Sequence, residues 1–190
     1  MTAGVGTLTY NAGALTFNFQ GPAFRLIPHA STEPLSTSYS LGGGRWNATD
    51  AFEVMYTFTD TATARQYMAA QETEAAFSWV EVAAERQLVL VVIEWNLSDL
   101  TDLASNEGLA AYHLPPTYPA GVRARTSWPM TQPIGAAIRR SGSPGLVVRS
   151  ASATDFSRPA INWAELAIFP ERAPLPTLLE RVSFDVWYAR

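Results

Sequence analysis

Residues 41–50 read LGGGRWNATD, three glycines running into Arg45, Trp46 and Asn47. Glycine is placed where a backbone must turn tightly or let a ligand come close. Arg45 adds a planar fork of donors suited to phosphate or carboxylate oxygens. Two readings follow: a turn whose arginine stacks on a neighbouring aromatic, or a pocket where Arg45 and the backbone of Gly43 and Gly44 meet an anion. The stretch lacks the lysine and threonine of a P-loop, and it opens no helix of the kind a doubly wound dinucleotide site requires. His29 and His113 are far apart with no ligand-like neighbours, and the chain has no cysteine, so no metal site is expected.

Composition narrows the setting. Of 190 residues 47% are hydrophobic and 16% charged, enough apolar material for one domain spanning 1–190 and too much for a disordered chain. A net charge of -4 with no basic tail argues against direct nucleic-acid recognition. The absence of cysteine removes disulfides and thiol nucleophiles. The first residues lack the basic start and long apolar core of a signal peptide, and LVLVVI at 88–93 is too short to cross a bilayer. A cytoplasmic protein with no membrane partner is expected.

Several elements must position these residues. Leu15, Phe17 and Phe19 alternate in a strand, and a second strand surrounds 53–59. Asp60 is placed to cap a helix over 61–77, with Ala64, Tyr67, Met68, Gln71 and Ala75 on its inner face. Gln71 is the odd member of that face, either peripheral or part of a site. A buried strand is predicted over 86–97, then a short helix within 98–110. Another helix should begin at Thr131 or Gln132 and stop near Gly142. Strands follow at 145–151, 163–169 and 181–189, the last with Val182, Phe184, Val186 and Tyr188 facing one way. Proline and glycine cluster at 112–121 and 170–176, which read as loops. Strands outnumber helices without a βαβ rhythm, so the expected class is α+β, with mixed sheets and flanking helices.

The pieces FRL at 24–26, GGRWN at 43–47 and MYTF at 55–58 resemble the start of RES-domain proteins. TQPIGAAIRRSGSPGLVVRSAS at 131–152 and NWAELAIF at 162–169 resemble that family's later signatures, so the likeness covers about 21–170. It implies a fold similar to ADP-ribosyltransferases. It also implies a bacterial toxin that consumes NAD at the nicotinamide–ribose bond, by hydrolysis or with inorganic phosphate as co-substrate. No resident cofactor is implied, and the partner would be a cognate antitoxin carrying a helix-turn-helix domain. The likeness gives no oligomeric state.

By position, the family's arginines match Arg25 and Arg45, its tyrosine Tyr56 and its serine Ser150, with Asn162 at a polar position before the closing strand. On this reading Arg25 and Arg45 bind phosphates, Tyr56 and Trp46 shape the ring pocket, Gly43, Gly44 and Asn47 belong to the binding loop, and Ser150 holds a ribose or phosphate. Each has a plainer alternative: a salt-bridged Arg25, a core Trp46, a Tyr56 that packs its strand, a Ser150 bonding its own backbone. The family's glutamate should fall in the helix after Tyr56, where this chain has Tyr67. Glu72 is the provisional substitute, with Glu74, Gln66 and Gln71 nearby, and solvent-facing positions are the alternative for both glutamates. Four readings stay open: an NAD glycohydrolase or phosphorylase, a protein ADP-ribosyltransferase, a RES fold that binds NAD without turnover or serves as a scaffold, and a structural protein with no small-molecule site.

Overall fold

A computed structural model of the chain describes residues 5–119, 128–152 and 164–188. Seven strands form one sheet: β1 (Thr7–Asn11), β2 (Thr16–Pro28), β3 (Met55–Phe58), β4 (Leu88–Leu103), β5 (Gly145–Arg149), β6 (Ala164–Ile168) and β7 (Thr177–Val182). The order is β1-β2-β3-β6-β5-β4-β7, and β2 also pairs with β4. That extra pairing closes β2, β3, β6, β5 and β4 into a barrel-like ring, with β1 and β7 flanking it. All pairings are antiparallel except β4 with β5. A register shift between Phe17 and Phe19 bends β2 as it pairs with β4. The α+β expectation holds, with helices α1 (Thr61–Ala75), α2 (Asn106–Ala111), α3 (Trp128–Arg140) and α4 (Phe184–Trp187) around the sheet.

Residues 89–93 of β4 are apolar on both faces because both are covered there. Val89, Val91, Ile93, Trp95 and Leu97 pack inward against Phe17, Phe19 and Ile27 of β2. Leu90 and Val92 face the other way, onto Ala64 and Met68 of α1 and Phe184 and Trp187 of α4. A third cluster under α3 joins Ile138 to Trp46, Phe52, Leu146 and Phe169.

α1 starts as its sequence requires: Asp60 Oδ1 accepts from Thr63 N at 2.7 Å. Ala64 and Met68 are buried, whereas Ala75, expected on the same face, is exposed. α3 is already helical at Trp128, ahead of the expected start, and Gly142 follows its end at φ 95°.

Two expected elements are corrected. Residues 98–103 are strand, not helix, because β2 and β5 claim them: Thr101 pairs with both Thr16 and Leu146. The helix there is confined to α2, whose cap Ser105 accepts from Gly108 N at 2.9 Å. The strand expected over 181–189 ends at Val182 and becomes α4. There Phe184 and Trp187, three residues apart, turn inward while Val186 is 47% exposed. No helix among the described residues is long and apolar enough to cross a membrane.

Candidate functional site

The GGRWN loop is built by its own polar groups. Gly43 N donates to Ser40 O at 2.9 Å and Gly44 N to Asn47 O at 2.8 Å. Asn47, wholly buried, donates to Ser40 O at 2.6 Å and Phe52 O at 3.1 Å. Its Oδ1 accepts from the Tyr56 hydroxyl at 2.9 Å, and that hydroxyl accepts from Trp46 N at 3.1 Å. From α3, Thr131 donates to Arg45 O, and Gln132 Nε2 donates to Gly44 O at 3.0 Å and Asn47 O at 3.2 Å. α3 comes this close because of Gly135, where a Cβ would lie 2.0 Å from Trp46 O. Gly44 has the matching need: its Cβ would sit 2.6 Å from the Tyr56 hydroxyl. Gly43 adopts φ 88°, in the region that favours glycine.

This scaffold projects the Arg45 side chain across to β6. Its Nη2 meets Glu165 Oε2 at 2.5 Å, and its Nη1 donates to Arg149 O at 3.3 Å. The other Glu165 oxygen accepts from Ser150 Oγ at 2.6 Å. Ser150 Oγ in turn accepts from Ser152 N at 3.2 Å. Burial alone would strip the Arg45 proton more easily, but Glu165, and then Tyr118 and Tyr56, outweigh it and raise the pKa. Burial raises the Tyr56 pKa despite the opposing pull of the Trp46 amide and Arg45, so the phenol stays protonated.

Above this network lies a cleft of about 360 Å³. Glu165, Arg45, Gly44 and Ser152 line it beside an aromatic wall of Tyr39, Tyr56, Phe58, Tyr67 and Trp128. Tyr67, Gln71 and Glu74 enter it from α1, at spacings of four and three residues that make one row on the helix. Gln71 Nε2 donates to the Tyr67 hydroxyl at 2.7 Å, so the odd polar member of the inner face belongs to the cleft wall.

The expected site residues divide. Arg45, Tyr56 and Gly44 line the cleft. Ser150 is fully buried beneath it and is joined to the lining by its bonds to Glu165 and to the Ser152 amide. Gly43, Trp46 and Asn47 hold the loop from behind, Trp46 being buried with its ring 6.0 Å from Tyr118. Asn162 lies outside the described residues.

Arg25 does not line the cleft. It is 2% exposed, donates to Pro34 O at 2.8 Å and to Ser36 O, and sits 5.1 Å from the Tyr39 ring centre. Burial lowers its pKa, and Tyr39 offsets part of that. Both guanidiniums expected to grip phosphate are therefore engaged by protein groups.

Glu72 lies off the cleft as well. Its Oε1 accepts from Trp79 N at 2.7 Å and its Oε2 from the Tyr188 hydroxyl at 3.0 Å, which ties the end of α1 to α4. Burial and then Glu72 push the Tyr188 pKa up to about 12. The reason is helical phase: Glu72 follows Met68 around the inner face, whereas Glu74 follows Tyr67 and Gln71.

Sequence reasoning missed Glu165, and a signal for it existed. It is the one charged residue in the apolar run 163–169, where a charge is retained only with a partner. Tyr39 and Trp128 carried no comparable signal. Among the described residues no group of three His, Cys, Asp or Glu could hold a metal.

A family model described as the RES domain matches residues 22–189. No curated protein matches the chain. Among solved structures, a chain of the crystal structure of the M. tuberculosis MbcT–MbcA toxin–antitoxin complex is similar, with a TM-score of 0.73 and 17% identity over 94% of each chain. At that identity the likeness is one of fold.

Proposed function

The chain belongs to the RES-domain family, and from that premise we propose that it breaks the nicotinamide–ribose bond of NAD, with water or inorganic phosphate as acceptor. The observation that carries this reading is Glu165, a carboxylate held by Arg45 and Ser150 in the lining of an aromatic cleft.

Cleavage of that bond builds positive charge on the ribose C1′ and its ring oxygen. A fixed carboxylate in a partly dry site stabilises such charge without having to reorient. Glu165 takes this role in place of Glu72, and Arg45 and Ser150 position it. The aromatic wall packs the nicotinamide ring, and Gln71 offers an amide to a ribose hydroxyl. Tyr56 is a scaffold for the Gly44–Asn47 turn rather than a proton donor, since its hydroxyl already serves Asn47 and Trp46.

A toxin role and a cognate antitoxin are part of the proposal. They are supported by the family and by the fold shared with a chain from a toxin–antitoxin complex. A helix-turn-helix domain on that antitoxin, and a cytoplasmic site of action, go with the same reading.

The test is nicotinamide release from NAD by the purified protein, with and without phosphate, beside R45A and E165Q. Release by the wild type, reduced in both variants, is expected. A rate that depends on phosphate identifies the acceptor. Transfer of label from NAD to protein instead would make it an ADP-ribosyltransferase. NAD binding without release would sink the enzymatic reading and leave a binding protein.

A further inference from the structure

Arg149 is the last residue of β5 and does not line the cleft. Its carbonyl accepts from Arg45 Nη1 at 3.3 Å, and the next residue, Ser150, donates to Glu165 Oε1 at 2.6 Å. Arg45 and Glu165 close the figure with their own contact at 2.5 Å. The charged pair is thus one side of a hydrogen-bonded ring whose other side is the main chain of residues 149 and 150. Where that main chain sits sets how the carboxylate meets the cleft. Strand pairing holds it on one side only: Arg149 still pairs with Ala164 of β6, whereas the pairing of β5 with β4 stops at Val148 and Leu103. On the open side the Arg149 side chain takes over. Its Nε donates to Ala104 O at 2.7 Å, where the chain leaves β4. Its Nη2 donates to Asn106 Oδ1 at 2.8 Å, and its Nη1 to Pro116 O at 2.6 Å and Tyr118 O at 3.2 Å. Tyr118 is buried with its ring 6.0 Å from that of Trp46, so the same fork ties the strand end to the packing behind the GGRWN loop. A planar guanidinium can hold acceptors in several fixed directions at once, which an ammonium cannot.

We propose that Arg149 is a positioning residue of the site: its side chain anchors the end of β5 to the stretch 104–118 and thereby fixes the main chain that orients Arg45 and Glu165. Its effect on rate rests on the NAD reading above; its effect on the Arg45–Glu165 pair does not. A side chain that only stabilised the fold would change the folded fraction and leave the pair as it is in every folded molecule.

The experiment uses Arg149→Lys, which keeps the charge but offers its donors from a single point, and Asn106→Ala, which removes one acceptor at an exposed position. The direct readout is hydrogen exchange of the Arg45 guanidinium protons, followed by heteronuclear NMR well below the urea midpoint. Exchange should speed up roughly tenfold in Arg149→Lys and roughly threefold in Asn106→Ala, the scales of a charged hydrogen bond and of a weaker exposed one. For nicotinamide release from NAD, kcat per folded molecule should fall about tenfold in Arg149→Lys with KM held within about twofold, because a misplaced reacting group costs rate while Arg149 itself lies off the cleft. Should Arg149→Lys not fold, Asn106→Ala decides by the same signs, each smaller. Unchanged exchange overturns this inference whatever the activity, and faster exchange with unchanged kcat does so too; in both cases NAD cleavage by the wild type stands. No release by the wild type overturns the NAD reading and leaves the exchange rates to decide this one.

Discussion

Glu165 and Glu72 are both carboxylates whose two oxygens each accept a hydrogen bond, yet their partners give them different work. Glu165 is held by the Arg45 guanidinium and the Ser150 hydroxyl and lines the cleft. Glu72 is held by the Trp79 amide and the Tyr188 hydroxyl and fastens α1 to the segments packed on its end. One lies in a strand buried on both faces, where a charge survives only with a charged partner. The other lies at a helix end half open to water, where neutral donors suffice. Being a glutamate near the right place in sequence therefore says little; what each oxygen is bonded to, and whether a cleft stands in front of it, says more.

The sharpest way to break this comparison is through activity. Glu165→Gln keeps the shape and removes the charge, and nicotinamide release should fall about 10²–10³-fold, the range for losing one preorganised electrostatic group. A fall of less than about threefold would show that the carboxylate is a structural partner of Arg45 and no more. Next in size is Gly135→Ala, which puts a methyl against Trp46 O and pushes α3 from the GGRWN loop. Overpacking of this kind costs about 1–3 kcal/mol, read as a lower urea midpoint. Full stability in that variant would mean the α3–loop contact is looser than described.

Glu72→Gln should cost about 1 kcal/mol of stability, as for one weakened hydrogen-bonded tie, with kcat unchanged within about twofold. A large loss of activity at unchanged stability would restore Glu72 to the site and dissolve the contrast with Glu165. The smallest effect is a pH dependence. Tyr188 has its pKa raised from 10.0 to about 12, so the folded chain favours the neutral phenol. Its contribution is fully present below pH 10.0 and is lost as pH rises through about 12. Tyr188→Phe, compared with the wild type by denaturant titration across that window, should flatten the decline. An unchanged slope would remove Tyr188 from the Glu72 tie.

Much of the frame was legible because its causes are local. Asp60 before a run of good helix formers predicts α1, and the observed cap bond to Thr63 is the interaction that places it there. Gln71 on an otherwise apolar face stood out as either peripheral or part of a site, and it lines the cleft. The loop at 43–47 was recognisable from its glycines and from its likeness to the family. Its inner role was not. The amides of Gly43, Gly44 and Trp46 are used within the loop and by Tyr56, so the glycines serve close packing against Tyr56 and Thr49 more than contact with an anion.

What one stretch of chain specifies ends where distant stretches compete for it. Residues 98–103 and 183–188 carry patterns that fit helix or strand, and only their neighbours decide: β2 and β5 draw the first into the sheet, and the pocket beside α1 takes Phe184 and Trp187 from a helix. The same holds for the site. Residue types and short-range spacing set out the arginine, the tyrosine, the serine and the helix row. The pairing of Arg45 with Glu165, 120 positions apart, exists only because β6 lies between β3 and β5 in a closed ring. Helical phase and capping are written over three or four residues; the meeting of charges across a barrel is written in no segment and is settled by the packing that closes it.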